Sequence, residues 1–398
     1  MNMASLQIPP SEFRSRADRL LQHIKEEAFS GVVLFNNFYI LYYTGFAFIP
    51  TERPIAFVMN ASGEQAMFVP RLEVEHARAD TLVHRVDYYV EYPYEMHPMT
   101  ILEGVLKEMD ISNSFGADQD GYPWIFGYRG PSLTDILGRQ PKNVTAFIED
   151  QMMIKSPAEL KLIGESVKWA NLAHTLLQRY TRPGLTENEV SLRASNEATL
   201  RMLDAIGPIY RSSDPFSEGP SADYRGQIGR GASIPHALAG NIVFQPGDVL
   251  VSGAGAPVWG YNSELERTMI LGEARDDQKR MFEHMLALQD TALRELKPGA
   301  RCCDVDRMVK AYFEKHELMD YWKHHSGHAI GLRYHEGPFL DIGDLTEIKP
   351  GMVFTVEPGL YVPDLGGFRH SDTVVVTDEG IEIMTYYPRD LESLTIPV

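Results

Sequence analysis

The chain has 398 residues, with 55 acidic and 37 basic side chains and a formal net charge of −18 at pH 7. Such an excess of negative charge argues against nucleic acid or an anionic membrane as a main partner. The length exceeds the usual size of one domain, and no apolar run approaches the roughly 20 residues that span a bilayer. The N-terminus lacks the apolar core of a signal peptide. The only cysteines, Cys302 and Cys303, are adjacent, which predicts a reducing, cytoplasmic setting.

The first part of the chain predicts an α/β domain over residues 1–155. Apolar positions at helical spacing, with Ser11 as N-cap, predict a helix that continues to Ala28. A second helix is predicted from Thr100 to Asp110. Short β-branched or aromatic runs between Gly, Asn and Pro predict strands. The predicted strands are Gly31–Phe35, Ile40–Tyr43, Pro54–Met59 and Gln65–Val69.

One loop of this domain is aromatic and rich in proline. Gly45–Pro54 contains a lone Arg53, as a ligand-binding loop would. The alternative is a loop that covers the core and carries a surface arginine. The residues alone favour that alternative by about two to one.

The second part of the chain repeats a helix–helix–strand pattern. Capping boxes at Ser156 and Thr186 open two predicted helices, and a second pair is predicted over residues 276–296 and 304–317. The run Phe244–Val251 is echoed by Ile348–Thr355, 104 residues later. This echo predicts a duplicated domain with pseudo-twofold symmetry over residues 156–398.

The stretch Val249–Leu271 predicts a hairpin with its turn at Pro257–Gly260. Alternation along its second strand places Glu264 and Glu266 on the same face, together with Asn262 and Thr268. Two explanations are open. The carboxylates line a pocket and titrate as a coupled pair, or they lie on a solvated edge strand.

The duplication favours the pocket. It places Glu264, Glu266, Glu357 and the segment Arg369–Asp372 around one central cleft. Two glycine-rich segments with histidines add to this cleft, one ending at His236 and one containing His324, His325, His328 and His335. Such a density of imidazoles beside carboxylates indicates metal binding or proton transfer.

Four motifs resemble those of the creatinase, prolidase and aminopeptidase P family. They are GHxxGxxxHE at Gly327–Glu336, VEPGLY at Val356–Tyr361, GGFRxxDT at Gly366–Thr373 and the GYxSELERT hairpin. The resemblance covers essentially the whole chain. It implies an α/β (α+β) protein with a creatinase-type N-terminal domain and a pseudo-twofold pita-bread C-terminal domain. It also implies a homodimer in which the N-terminal domain of one subunit lies near the active site of the other.

The resemblance further implies which residues replace the metal ligands of the family. Its metallopeptidases use Asp, Asp, His, Glu and Glu, and the matching positions here are Gly253, Glu264, His328, Glu357 and Ser371. Two anionic ligands are therefore missing, which weakens the attraction for two dications. We accordingly expect no metal and no other cofactor.

A metal-free branch of the family supplies the expected reaction. Glu266 replaces a threonine of the peptidases, as in the metal-free members, and His236 matches a catalytic histidine there. The resemblance then implies hydrolysis of a C–N bond in a small zwitterionic amidine, the cyclic compound ectoine and possibly hydroxyectoine, to N-acetyl-diaminobutyrate. The alternatives are a creatinase-like amidinohydrolase and a metal-dependent Xaa-Pro peptidase. A binding protein without catalysis is a further alternative.

The expected roles follow from this chemistry. Glu266 is predicted to be the nucleophile, His236 the general acid and base, and Glu357 a catalytic carboxylate. Glu264, His328 and His335 are predicted to bind the substrate cation or orient it. Arg53, contributed by the other subunit, is predicted to bind the substrate carboxylate.

Overall fold

A computed structural model of the protein describes residues 6–111, 113–207, 211 and 219–398. Within them the chain divides into two compact units, one over Ile8–Met152 and one with Met153–Val398 as its main part. No helix among the described residues combines the length and the apolar character that a bilayer crossing requires.

The N-terminal unit is built on a six-stranded mixed sheet. Its strands are β1 (Gly31–Leu34), β2 (Ala56–Asn60), β3 (Gln65–Pro70), β4 (Arg85–Tyr89), β5 (Gly116–Ala117) and β6 (Lys142–Asn143), in the order β4-β3-β2-β1-β5-β6. Its helices are α1 (Pro10–Glu26), α2 (Asn37–Thr44), α3 (Val74–Asp80), α4 (Pro98–Glu108), α5 (Leu133–Leu137) and α6 (Thr145–Met153). This is the predicted α/β domain.

Two local predictions in this unit are wrong. The run Ile40–Tyr43 is not a strand but lies inside α2, because Asn36 caps the helix through its side chain and Gly45 ends it in the left-handed region. The apolar run itself did not discriminate between strand and helix. Helix α1 begins at Pro10, one residue before the predicted N-cap Ser11, since proline suits the first helical position.

The C-terminal unit contains two pairs of helices. They are α7 (Pro157–Tyr180) with α8 (Glu187–Ile206), and α9 (Asp276–Glu295) with α10 (Cys302–Lys315). The capping box at Ser156 is present as predicted. At Thr186 the side chain accepts from the backbone N–H of Glu189, but the reciprocal bond of the predicted capping box is not formed. Helix α7 packs on the first half of the sheet, and α9 packs on the second.

A nine-stranded sheet forms the centre of this unit. Its strands are β7 (Ser221–Asp223), β8 (Val249–Gly255), β9 (Leu265–Leu271), β10 (His328–Ala329), β11 (Glu336–Phe339), β12 (Val353–Val356), β15 (Ser371–Val376), β16 (Ile381–Ile383) and β17 (Thr395–Ile396). The main path runs β11-β10-β12-β15-β9-β8-β7, with β16 paired to β15 and β17 to β9. Strands β13 (Gly359–Val362) and β14 (Gly366–Arg369) form a separate hairpin.

The strand order confirms the predicted pseudo-twofold arrangement. The β8–β9 hairpin of the first half and the β12–β15 pair of the second meet where β9 pairs with β15. All seven residues of β9 are buried, and the strand has a neighbour on each side. The solvated edge strand is therefore excluded as an explanation for Glu264 and Glu266.

Candidate active site

A row of residues crosses four neighbouring strands on one face of the central sheet. Asp223 lies opposite Gly253, Gly253 opposite Glu266, and Glu266 opposite Ser371. Directly opposed residues of antiparallel strands point to the same face. Glu264 shares this face because it precedes Glu266 by two residues. The sheet thus gathers residues that are up to 148 positions apart.

A cavity of about 250 Å³ opens over this row. Five of the predicted site residues line it, namely Glu264, Glu266, Glu357, His335 and His236. Its other lining residues are Ser221, Asp223, Arg225, Gly253, Ala254, Gly255, Tyr334 and Arg369. The predicted cleft therefore exists, and its wall is rich in charged groups of both signs.

Three predicted site residues, two of which line the cavity, form a compact set of possible metal ligands. One ligand atom from each of Glu264, His328 and Glu357 lies within 4.8 Å of the others. The His328 Nδ1–H donates to the carbonyl of Ala329 at 3.0 Å, which leaves Nε2 to face the carboxylates. Nε2 lies 3.3 Å from Glu357 Oε1, and it has no hydrogen-bond partner in the described part of the chain. A backbone carbonyl that fixes the ring in this way is typical of metal-binding histidines.

The titration of this set reflects crowding of acids in a buried place. Burial and the charges of Glu357 and Glu266 raise the pKa of Glu264 to about 8. Burial alone would lower the pKa of His328, but its contact with Glu357 and the charge of Glu264 raise it to about 9. Burial alone would raise the pKa of Glu357, but His328 and Arg369 lower it. Protons alone therefore supply less positive charge than the buried carboxylates of this set attract.

Hydroxyl groups from neighbouring strands orient two of the carboxylates. Ser371 Oγ donates to Glu264 Oε1 at 2.6 Å, and Thr373 Oγ1 donates to the backbone carbonyl of Glu264 at 2.8 Å. Thr355 Oγ1 donates to Glu357 Oε1 at 3.3 Å. Ser371 thus supports a neighbouring ligand although it offers no carboxylate itself.

Glu266 is held by two guanidinium groups. Arg369 Nη2 donates to Glu266 Oε1 at 2.7 Å, and Arg369 Nε forms an ion pair with the other oxygen. Arg225 Nη2 donates to the same Oε1 at 3.0 Å. Arg369 is almost fully buried and also donates to the hydroxyl of Tyr361. The arginines and Glu266 form a charged cluster beside the possible metal ligands.

The two histidines at the mouth of the cavity differ in their surroundings. The ring of His335 stacks on His328, with the ring centroids 3.8 Å apart. Burial and the neighbouring His328 lower the pKa of His335 to about 4, so its ring is neutral at pH 7. His236 is exposed and follows the 3₁₀ segment Gly229–Ser233. Both rings are available for proton transfer to a bound molecule.

Arg53 belongs to the N-terminal unit. Its Nε donates to Glu91 at 2.7 Å and its Nη1 to Glu52 at 2.5 Å. Contact with Glu91 raises the pKa of Arg53 further. Its predicted role on a substrate carboxylate stays a prediction.

The donor set fits one metal ion and does not fit two. Two carboxylates and one imidazole, oriented by Ser371 and Ala329, match the ligands that Zn²⁺, Mn²⁺ and Fe²⁺ take in proteins. At Gly253 and Ser371, where the resemblance implies two further anionic ligands, no carboxylate is present. The guanidinium groups of Arg225 and Arg369 instead place positive charge beside these positions.

Comparison with known families identifies this architecture. The model of metallopeptidase family M24 matches residues 161–378, and that of the creatinase/prolidase N-terminal domain matches residues 16–154. The chain belongs to family M24. It is therefore a hydrolase of a peptidase family, and the predicted creatinase-type and pita-bread fold is confirmed.

Several proteins similar to the chain are named Xaa-Pro dipeptidases or prolidases. It is 26% identical over 381 residues to an Xaa-Pro dipeptidase of Pyrococcus furiosus, covering 95% of this chain and 99% of the relative. Among solved structures, an Xaa-Pro dipeptidase from Bacillus anthracis aligns with a TM-score of 0.79 and 24% identity, covering 97% of this chain and 100% of the other. A prolidase from Pyrococcus horikoshii OT3 aligns with a TM-score of 0.79 and 23% identity, over 95% and 99% of the two chains. At such identities the structures support the fold alone.

These comparisons correct the predicted reaction. Metal-independent hydrolysis of ectoine is wrong as a prediction, because the family is one of metallopeptidases and the matched relatives are named Xaa-Pro dipeptidases. The expectation of no metal rested on the losses at Gly253 and Ser371. The three remaining donors nevertheless lie within 4.8 Å of one another, which is a set able to hold one ion.

Several residues of the cavity are absent from the predicted set. Asp223 lies on β7 and Arg225 in the turn after it. No motif and no clear periodicity marks either residue in the sequence. Tyr334 lies in the histidine-rich segment directly before His335, and this position could have identified it as a site residue. Arg369 is part of the GGFR motif, which did place its segment at the cleft.

Proposed function

We propose that the protein is a dipeptidase that hydrolyses the peptide bond of Xaa-Pro dipeptides with one divalent metal ion. The observation that carries the proposal is the three-donor set of Glu264, His328 and Glu357, in which the two glutamates line the cavity. The family match and the names of the relatives support the peptide bond as the target. A cavity of about 250 Å³ favours a short substrate over a folded protein.

Glu264, His328 and Glu357 would hold the ion, which when bound polarises a carbonyl oxygen and lowers the pKa of a water molecule. The raised pKa values of Glu264 and His328 support a cation at this place. Both values are raised by neighbouring carboxylates, whose repulsion a bound metal cation would relieve. Ser371 keeps the Glu264 carboxylate in one orientation while a substrate enters.

The leaving amine of a peptide requires a proton. We assign its delivery to His236, whose exposed ring lines the cavity. The proposal uses Glu266 as a fixed anion instead of the predicted nucleophile. Its carboxylate holds Arg225 and Arg369 in place, and those guanidinium groups can stabilise the negative charge that develops on the substrate. Nucleophilic attack by Glu266 stays a prediction.

Three expectations from the sequence remain part of the proposal. We expect a zwitterionic small molecule as substrate, a homodimer that brings Arg53 of one subunit towards the site of the other, and a cytoplasmic location. The high density of charges of both signs around the cavity supports the first of these.

The proposal is tested by the turnover of Ala-Pro. The purified protein is stripped with a chelator, and Mn²⁺ or Zn²⁺ is then added back while released proline is measured. We expect turnover only with metal, and a loss of turnover of at least about a hundredfold for His328→Ala. Mutation of residues that only orient a metal ligand already lowers metal affinity or activity by about 10- to 100-fold. His316→Ala, whose ring stacks on Tyr312 away from the cavity, is the matched control. Turnover that survives chelation, or no cleavage with any ion, would contradict the proposal.

A further inference from the structure

One part of the cavity is lined by residues without charge. Gly255 on β8 lies opposite Ser221 on β7, and the ring of Tyr334 lies over Gly255. A Cβ built on Gly255 would lie 3.4 Å from Tyr334 Cε2 and 3.6 Å from its Oη. Tyr334 is 42% exposed, so part of its ring is free to contact a bound molecule. Bare backbone therefore forms the floor here, and the tyrosine ring forms the wall above it.

The turn that carries Tyr334 is fixed by hydrogen bonds on both sides. Before it, the backbone N–H and the side-chain amide of Asn262 both donate to the carbonyl of Gly331, at 2.8 and 3.2 Å. At its end, Glu336 Oε1 accepts the N–H of Arg333 at 2.8 Å. These bonds tie the turn to the β8–β9 hairpin and to the start of β11.

A buried ion pair secures the end of this turn. Lys155 Nζ donates to Glu336 Oε2 at 2.7 Å, and the two side chains are 1% and 3% exposed. Breaking such a pair leaves an uncompensated buried charge, which is strongly destabilising. His335, next to Tyr334, is also held, by stacking on His328. Movement of Tyr334 away from the cavity would disturb these contacts, so its ring is a fixed wall.

The cavity leaves little room for a large substrate. Its volume of about 250 Å³ is below the roughly 300–1,000 Å³ of most small-molecule sites. Two residues from Gly255, Gly253 lies opposite the charged side chains of Asp223 and Glu266. An apolar group placed against those charges would remove water from them at a cost in free energy. We therefore expect an apolar substrate side chain to lie at the uncharged part, against Tyr334.

We propose that Tyr334 limits the size of the substrate, so that the cavity admits small Xaa side chains and excludes large ones. The inference rests on the proposed dipeptidase function for the class of substrate, in which the Xaa side chain is the only group whose size varies. A large group pressed against a fixed wall forces unfavourable side-chain conformations, as overpacking does in a protein core. Dipeptides that begin with alanine should therefore bind better than those that begin with leucine or phenylalanine.

Calorimetry with dipeptides that cannot be cleaved tests this inference without relying on turnover. Analogues of Ala-Pro, Leu-Pro and Phe-Pro, with a methylene group in place of the peptide carbonyl, are titrated into the full chain as purified. We expect the wild type to bind the Ala-Pro analogue at least about tenfold more tightly than the other two. Tyr334→Ala should reduce this difference to less than about threefold, whereas Tyr334→Phe should keep it, because the ring remains.

Tyr386→Ala is the matched control, since Tyr386 is 67% exposed and lies outside the wall of the cavity. Three results would overturn the inference: equal affinity of the wild type for the three analogues, a difference that persists in Tyr334→Ala, or no binding of any analogue. Failure of the proposed function would appear instead as a lack of Ala-Pro turnover. Thermal melting reports whether each variant is folded, and Tyr334→Val replaces the alanine variant if that one is not.

Discussion

The Glu264 carboxylate is oriented by a hydroxyl that stands where the resemblance leads one to expect a metal-binding glutamate. Ser371 Oγ donates to Glu264 Oε1 at 2.6 Å, and both side chains are buried. A ligand that is held in one orientation binds a metal without first losing rotational freedom. Under the proposed function, Ser371 therefore contributes to the affinity for metal through the orientation of Glu264.

Ser371→Ala should weaken metal binding. Loss of the hydroxyl leaves Glu264 Oε1 without this donor, and removal of such partners lowers metal affinity by roughly 10- to 100-fold. The affinity is measured by titration of Mn²⁺ into metal-free protein. Thr291→Ala, which removes a hydroxyl bonded within helix α9, should leave the affinity unchanged. An unchanged affinity in Ser371→Ala would show that the hydroxyl does not position Glu264.

The sequence located most of the acids and histidines of the site and the segment that contains Arg369, but not Arg225. Glu264 and Glu266 were recognisable because alternation places them on one face of a strand, and Glu357 because the duplication places it at the same cleft. Arg225 was not, because its place depends on a left-handed turn that Glu187 secures from a helix 38 residues earlier in the chain. Contacts over such distances leave no local pattern.

At the scale of secondary structure, one buried arginine ties together the strands beneath the cavity. Arg267 on β9 donates to the backbone carbonyls of Ser371, Pro388 and Tyr387, and to the Asp372 carboxylate at 2.7 Å. Both charged side chains are 1% exposed. The pair holds β9 and β15 together where the two halves of the domain meet.

Arg267→Met should lower the free energy of unfolding of the C-terminal unit by about 3–5 kcal/mol, because it leaves the Asp372 carboxylate buried without its cation. Denaturant titration measures the change. Arg294→Met is the control, since Arg294 is 62% exposed and its ion pair with Glu295 is expected to contribute less than about 1 kcal/mol. A loss in Arg267→Met as small as that of the control would disprove the structural role.

Elements with a strong period or a cap were predictable, and those fixed by tertiary contacts were not. The hairpin over Val249–Leu271 and the capped helix after Ser156 follow from their own residues. The helix over Asn37–Thr44 does not, since its apolar run suits a buried strand equally well. Strand β4 alternates poorly and becomes a strand through its parallel pairing with β3.

At the scale of the whole molecule, stability should depend on pH through buried neutral histidines. His174 on α7 is fully buried, and its Nε2–H donates to Ser252 Oγ at 2.7 Å, while that hydroxyl donates to the carbonyl of Arg267. Burial and the charge of Arg267 lower the pKa of His174 to about 3. The unfolded chain takes up this proton near pH 6.5 and the folded chain does not, so acid favours unfolding.

His174→Gln should therefore remove part of the acid sensitivity. Between pH 6.5 and 4.5 the wild type should lose about 2–3 kcal/mol more free energy of unfolding than the variant, at about 1.4 kcal/mol per pH unit. Above pH 7 the difference between the two proteins should be constant, because the histidine is neutral in both states. Denaturant titrations at pH 8, 6.5, 5.5 and 4.5 provide the comparison. Parallel curves over the whole range would show that His174 does not titrate on unfolding.

The number of metal ions per chain tests the central claim most directly. Metal-free protein is titrated with Mn²⁺ while bound metal and the turnover of Ala-Pro are measured together. Because Glu264, His328 and Glu357 form one ligand set and Gly253 and Ser371 supply no carboxylates, turnover should reach its plateau at one equivalent per chain. A plateau at two equivalents, or turnover that is complete before any metal is added, would contradict the account.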